Sequence, residues 1–529
     1  MLNIQNLGYA HPNKDVLFDG LNLVINSHQK VALIGNNGAG KSTLLQLIAG
    51  LLLPATGRIS ASAPPYYIPQ HFGQFDGLTV AQALGVEGKI VALQEILDGQ
   101  ATDANLAALD DDWTIEARSQ EALQHWGLAE LCLTQPMAAL SGGQKTRVFL
   151  AGLAIHRPEI VLLDEPSNHL DTGGRQLLYD FISTSPGTML VVSHDRKLLN
   201  LLDSVAELSR RGITLYGGNY DFYAGQKQVE NTALHHDVKS KEKALRKARQ
   251  TEQETLERKQ KLDARGKKNQ DKAGLPAIML GMMRNSAENS SARLKSLHAE
   301  KVGNVSQELS ELRKGLPDLD KMKFGFDNSA LHKGKILITA TGLNYSYGPH
   351  PLWRPALSFQ LHSGERVALR GLNGSGKTTL IRLLLGQLAP QAGTLYRAEV
   401  QAVYIDQDYS LINSQLMVYE QAQQFNTTAL QEHEIKIRLA RFLFTKDDWD
   451  KPCRALSGGE KMRLLLCGLT IRSQAPDLII LDEPTNNLDM QNLEILTAAL
   501  NDYQGTLLVV SHDAYFLEQI RVERSIQLA

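Results

Sequence analysis

Four short motifs occur twice in this chain, in the same order, and no other feature limits its fold so severely. Gly35-Asn36-Asn37-Gly38-Ala39-Gly40-Lys41-Ser42-Thr43 returns as Gly371-Leu372-Asn373-Gly374-Ser375-Gly376-Lys377-Thr378-Thr379. Leu140-Ser141-Gly142-Gly143-Gln144 returns as Leu456-Ser457-Gly458-Gly459-Glu460, and Leu163-Asp164-Glu165-Pro166 as Leu481-Asp482-Glu483-Pro484. Val192-Ser193-His194-Asp195 returns as Val510-Ser511-His512-Asp513. Copies more than 300 positions apart are too widely spaced for a solenoid and fit a duplication of whole domains. At 529 residues the chain also exceeds what one hydrophobic core supports. The reading is one domain at residues 1–223, a second at 336–529, and a linker at 224–335.

Each half reads as α/β. Val31-Ala32-Leu33-Ile34 and Val367-Ala368-Leu369 are apolar runs directly before the glycine-rich segments, as buried parallel strands require. The second run is the shorter, because Arg370 stands where the first half has Ile34. Ile160 to Leu163, Met189 to Val192, Leu478 to Leu481 and Leu507 to Val510 are further buried strands. The polar motifs follow these strands at once, where open α/β sheets bind their ligands.

A G-x-x-x-x-G-K-[S/T] segment between a strand and a helix binds a nucleotide triphosphate. Its glycines let backbone N–H groups curl around phosphates at a helix N-terminus. All nine residues of each copy, 35–43 and 371–379, are candidate nucleotide contacts. Lys41 and Lys377 would bridge the β- and γ-phosphates, while Ser42 and Thr378 supply hydroxyls for Mg²⁺. Asp164 and Asp482, at strand ends, would hold the metal's shell, and Glu165 and Glu483 would orient and deprotonate the attacking water. His194 and His512, each between Ser and Asp after a strand, are expected to touch the γ-phosphate. Tyr9 and Tyr345 both precede the first loop glycine by 26 residues, a matched spacing that an aromatic stacked on adenine would explain; core packing is the competing reading.

Composition narrows the setting. Net charge is −2, so the molecule is no basic nucleic-acid binder in bulk, and any basic surface is local. The three cysteines, Cys132, Cys453 and Cys467, form no C-x-x-C pair, which speaks for free thiols in a reducing compartment. No stretch approaches the roughly 20 apolar residues of a membrane span, and no signal region is evident at the start. A cytoplasmic protein without membrane contact is expected.

The Leu-Ser-Gly-Gly-Gln/Glu motif resembles the ABC signature, and with the other motifs the resemblance covers both halves. Within that superfamily the chain resembles the ABC-F proteins, which carry twin cassettes in one chain and act on ribosomes. The resemblance rests also on Lys145-Thr146-Arg147-Val148 after the first signature and on Tyr216-Gly217-Gly218-Asn219-Tyr220-Asp221-Phe222-Tyr223 before the linker. It implies two ABC nucleotide-binding domains joined by an α-helical hairpin, ATP and Mg²⁺ as ligands, and a monomer whose cassettes pair internally. Ser141, Gly142 and Gly143 would then meet the nucleotide held by Lys377. Ser457, Gly458 and Gly459 would meet the one held by Lys41. Gln70 and Gln407 resemble metal-contacting Q-loops, and Asp171 and Asp489 resemble D-loops.

The linker carries 20 Lys and Arg against 12 Asp and Glu over residues 224–315, a local excess of 8. Leu234, Val238, Leu245, Ala248 and Leu262 fall near heptad positions, as do Leu294, Val305, Leu309 and Leu312, although Glu252 and Lys259 interrupt the seam. Between the two runs lies an apolar tip, Gly274 to Met283. A basic hairpin with an apolar tip suits RNA contact, so the ribosome, through rRNA or tRNA, is the expected partner. Gln70 to Ser141 spans 71 positions and Gln407 to Ser457 only 50, so the arm that ABC-F proteins often insert here is short or absent. The rival readings are a transporter's energy subunit, which would need a membrane partner, and a DNA-maintenance ATPase. The split cassette, zinc cysteines and iron–sulfur cluster of that last class have no counterpart here.

Overall fold

The computed structural model describes all residues except 13–14, 210–211, 274–292, 294–295, 298, 314–331, 373, 428, 473, 487 and 529, and the side chains of 259 and 263–273. The chain forms two compact units: Met1–Tyr223 together with Met322–Ala529, and Ala224–Lys321.

The first unit holds two α/β cassettes built alike. In the first, β1 (Leu2–Ala10), β2 (Val16–Ile25) and β4 (Thr56–Ala61) form an antiparallel sheet ordered β2-β1-β4. Its second sheet runs β5-β6-β7-β3-β8-β9, from β3 (Lys30–Ile34), β5 (Tyr66–Ile68), β6 (Ile160–Asp164), β7 (Thr188–Val192), β8 (Ser204–Ser209) and β9 (Gly212–Tyr216). Every pairing in it is parallel except β8 with β9. β6 and β7 are buried at every residue, which accounts for their unbroken apolar sequence.

The helix Lys41–Ile48 lies in the core between the two sheets. Leu44, Leu45 and Ile48, at helical spacing, pack with Leu2, Ile4 and Leu7 of β1 and with Val31 and Leu33 of β3. The segment that opens the helix is thereby fixed to the centre of the parallel sheet.

The second cassette repeats the plan. β10 (Ile336–Asn344), β11 (Leu357–His362) and β13 (Ala392–Arg397) are antiparallel. β12 (Arg366–Arg370), β14 (Ala402–Ile405), β15 (Leu478–Asp482), β16 (Thr506–Val510) and β17 (Arg524–Gln527) form a wholly parallel sheet ordered β14-β15-β16-β12-β17. The apolar run before the second glycine-rich segment is shorter, but the strand is not. Arg370 stays in β12, paired with Gln527, because its exposed place at the strand end lets the guanidinium reach water.

The first cassette's extra residues fold into two short helices, Glu87–Leu97 and Asp103–Leu109. Ile90, Leu93 and Leu109 are buried beneath them, and Lys89 lies 3.4 Å from Asp112. In the second cassette no helix stands between Val418–Gln424 and Glu432–Arg441 among the described residues. The insertion is therefore a short helical pair.

The second unit is helical. The helix Tyr220–Ala273 runs from the first unit into it and, at 54 residues, extends about 80 Å. A second helical stretch covers residues 299–313. Its charges pair with the first in antiparallel order: Lys241 with Glu308, and Glu242 with Arg313 at 2.6 Å. Val238 and Leu309 are buried, and Leu234, Leu245, Ala248, Val305 and Leu312 are half-buried between exposed charges, so the apolar seam is real and thin. Leu262 is exposed. The apolar tip and Leu294 lie outside the described residues, as does the side chain of Lys259.

Candidate functional site

Each glycine-rich segment turns from its strand into its helix through a left-handed residue. Gly40 and Gly376 cap the helices Lys41–Ile48 and Lys377–Leu384 with φ of 95° and 86°. A Cβ on Gly40 would also lie 2.5 Å from the Phe18 ring, so neither backbone nor packing admits a side chain there. The loop closes on its own lysine. Lys41 Nζ donates to Gly35 O (2.7 Å) and Asn36 O (3.3 Å), and Lys377 Nζ to Gly371 O (2.9 Å) and Leu372 O (3.1 Å). Both ammonium groups thus sit at the loop's centre, where phosphate oxygens could replace those carbonyls. Asn373 lies outside the described residues.

The carboxylates end β6 and β15. Glu165 and Glu483 adopt φ of 51° and 48°, an uncommon conformation for a side-chain-bearing residue. Their N–H groups are tied to Val192 O and Val510 O, each at 2.9 Å. The histidine from the next strand covers the glutamate. His194 Nε2 lies 3.3 Å from Glu165 Oε1, and its backbone N–H donates to Oε2 at 3.3 Å. His512 Nε2 lies 3.5 Å from Glu483 Oε1. Burial pushes Glu165 up to about 8 and Glu483 up to about 7. Burial, helped by the nearby loop lysines, drives His194 down to about 3 and His512 to about 4. The histidines are therefore neutral near pH 7. Asp164 and Asp482 are also held above the usual carboxylate range by burial, and Asp164 Oδ1 is buried without a hydrogen-bond partner.

The signature motifs are helix N-termini. Ser141 Oγ accepts from Gln144 N (3.3 Å) while Gln144 Oε1 accepts from Ser141 N (2.9 Å). Ser457 and Glu460 do the same at 3.3 and 2.7 Å. This capping box explains why the motif needs Ser first and Gln or Glu three residues later. It leaves the glycine N–H groups between them free to face an anion at the positive end of the helix. Gly459 packs so closely that a Cβ would meet Asn492 Nδ2 at 2.1 Å.

The two cassettes face each other head to tail. A cavity of about 640 Å³ is lined by Lys41, Ser42, Gln70, Asp164, Glu165 and His194 of the first cassette and by Gln407, Ser457 and Gly458 of the second. A smaller one, about 290 Å³, joins Ser141, Gly142 and Gly143 to Gly374, Glu483 and His512. Asn37 N donates to Asp489 Oδ2 across the divide (2.7 Å), and Thr172 Oγ1 lies 3.4 Å from His512 Nδ1. Asp171 and Asp489 cap the helices Thr172–Thr184 and Met490–Asp502. Tyr9 and Tyr345 pack against the two cores. His11 and Leu17, rather than Tyr9, line the first cavity, and Tyr347 Oη meets Thr379 Oγ1 at 3.3 Å.

The ABC transporter family's sequence model matches residues 18–168 and 355–486, over half of the chain. A putative ATP-binding protein of Bacillus subtilis (strain 168), YdiF, is 32% identical, covering 96% of this chain and 77% of its own length. The ATP-binding protein Uup of Haemophilus influenzae is 30% identical, covering 98% and 77%. The chain belongs to the ABC-F family. It is an ATP-binding ATPase. The probable ATP-binding protein YbiT of Escherichia coli O157:H7 matches this ABC-F chain at 31% identity, over 95% of it and 92% of YbiT. Among solved structures, an RNase-L Inhibitor shares the fold with a TM-score of 0.59 at 19% identity, covering 98% of this chain and 87% of that one. Among the described residues no helix is long and apolar enough to cross a membrane.

Three residues that the motifs did not single out belong to these sites. Tyr67 Oη donates to Asp164 Oδ2 (3.3 Å) and Tyr404 Oη to Asp482 Oδ2 (3.0 Å). Their signal was present, since Tyr-Ile-x-Gln stands before both Q-loops. Arg175, buried, comes from the first cassette into the wall of the smaller cavity, beside Glu483 and His512. Its counterpart in the second cassette is Leu493, and no local pattern marks it.

Proposed function

We propose that this ABC-F ATPase is an ATP-switched translation factor that acts on the ribosome through its linker. The observation that carries the reading is the charge of the second unit. Residues 224–315 carry an excess of 8 Lys and Arg in a chain of net −2, and among the described residues the thin seam leaves Lys243, Lys247 and Arg249 exposed. Backbone phosphates reward such a surface. A transporter's energy subunit has no use for it. The archaeal ribosome recycling factor aABCE1, solved with the ribosomal stalk protein aP1, has the same fold at a TM-score of 0.57.

In this reading two ATP molecules are held between the cassettes. Lys41 and Lys377 hold the β- and γ-phosphates, and the opposing signature helices direct the N–H groups of Gly458 and Gly142 at the same anions. Glu165 and Glu483 orient the attacking water and take its proton. The backbone N–H of His194 holds Glu165, and the neutral side chains of His194 and His512, each within 3.5 Å of its glutamate, would face the γ-phosphate. The residues present fit Mg²⁺. Ser42, Gln70 and Asp164, and likewise Thr378, Gln407 and Asp482, offer hard oxygen donors, and no cluster of three His, Cys, Asp or Glu suited to a softer metal exists among the described residues. The ion would neutralise phosphate charge.

Replacing both glutamates, Glu165→Gln with Glu483→Gln, removes the base and should lower turnover ~10²–10⁴-fold. The doubly substituted protein should co-sediment with ribosomes in ATP and be released in ADP. Its absence from the ribosomal pellet in ATP would sink the reading.

A further inference from the structure

Arg196 stands two residues after His194, at the start of the short helix Arg196–Leu199. Its guanidinium leaves its own cassette. It bonds the hydroxyl of Tyr515 and lies 4.2 Å from the centre of that ring, and Nη2 is 3.6 Å from Glu494 Oε1. Both partners belong to the second cassette. The same guanidinium is 5.5 Å from the ring of Tyr220, the buried first residue of the helix that becomes the linker. One cation thus joins the histidine loop, the opposite cassette and the first residue of the helix Tyr220–Ala273.

The duplication supplies an internal control. Aligned on Ser-His-Asp, Ala514 is the counterpart of Arg196 and Lys197 that of Tyr515; aligned on the two D-loop aspartates, Gln176 is the counterpart of Glu494. Ala514 cannot reach across. Lys197 instead bonds Gln176 within its own cassette (3.4 Å) and lies over the Tyr179 ring at 4.7 Å. The contact exists on one side only.

We propose that Arg196 is a one-sided clasp, which fastens the loop carrying His194 to the second cassette and to the first turn of the linker helix, so that closure over the Lys41 site and the footing of the linker are set together. The clasp rests on the reading that the cassettes close on ATP. Arg196 is a positioning residue, because it acts through the loop and the interface and reaches neither cavity. A guanidinium suits this place: it lies against the Tyr515 ring and bonds the phenol while its spread charge pairs with Glu494, which a compact ammonium does less well.

Closure can be followed by energy transfer between dyes on cysteines replacing the exposed Asp98 and Gln504, in a Cys132→Ser background. The linker's footing is read from hydrogen exchange of amides 220–227. In Arg196→Ala the ATP concentration for half-closure should rise roughly tenfold, and amides 220–227 should lose their ATP-dependent protection. Arg196→Lys should restore closure in part. Glu494→Gln should raise the midpoint less, and the Arg196→Ala, Glu494→Gln pair no more than Arg196→Ala alone, since both remove one contact. If the unsubstituted protein fails to close on ATP, the closing reading itself is wrong. If it closes and Arg196→Ala closes at the same ATP concentration, or the two substitutions add independently, the clasp is wrong.

Discussion

Asp164 and Asp482 each accept a hydrogen bond from a tyrosine on the neighbouring strand, and under the proposed Mg²⁺ role that donor would tune each carboxylate as a ligand. The register explains the pairing. β5 lies beside β6 with Tyr67 opposite Leu162, two residues before Asp164, and β14 lies beside β15 with Tyr404 opposite Ile480, two before Asp482. Replacing Tyr67 or Tyr404 with Phe keeps the packing and deletes only the donor. The Mg²⁺ concentration for half-maximal ATPase should then rise roughly tenfold, the low end for outer-layer partners of a metal site. Steady-state titration with Mg²⁺ at saturating ATP measures it, and an unchanged midpoint would show that these hydroxyls only fill space. Such residues are hard to read in a sequence because their chemistry depends on strand register. The phosphate loop is easy, since one contiguous segment must carry its glycines, lysine and hydroxyl. Tyr9 and Tyr345 are intermediate: their equal spacing reports equivalent places in two copies of a fold, each partly buried against its core, and Tyr9 meets His11, which lines the larger cavity.

At the scale of elements, the strands and motif-bearing helices were legible because burial on both faces leaves unbroken apolar runs and capping demands particular residues. The linker was legible as charged helices with a weak heptad seam, and its ion pairs, which depend on the second helix, were not. Lys241 is engaged with Glu308, so its charge is partly satisfied within the unit. The exposed Lys243, Lys247 and Arg249 are the better candidates for phosphate contact. Converting these three to Gln should weaken ribosome binding and reduce the slope of log affinity against log salt by up to ~0.7–0.9 for each phosphate that is no longer neutralised. Binding measured across a series of KCl concentrations reads both, and a slope that does not change would count against phosphate contact at these residues.

On the scale of the whole molecule, duplication makes two similar halves, and the functional unit is the seam between them. Each cavity takes its glutamate and histidine from one half and its signature helix from the other, and the larger also takes Lys41 from the first. The seam is also uneven: Arg175 faces Leu493 in the alignment, Arg196 faces Ala514, and the cavities differ, at about 640 and 290 Å³. Trans completion makes a distinctive prediction. Ser457 lies in the second cassette but lines the cavity of Lys41. Ser457→Arg would break the cap, costing about 1 kcal/mol of stability, and would fill the path of the γ-phosphate with a long side chain. A photoreactive ATP analogue, applied before proteolysis between the cassettes, should then label residues 1–223 much less, by roughly tenfold or more if the contact is worth a charge-assisted hydrogen bond. Labelling of residues 336–529, which carry the substitution, should persist. Ser141→Arg should give the mirror result. Loss of label from the substituted cassette instead would mean that each half completes its own site, and the intramolecular pairing would have to be abandoned.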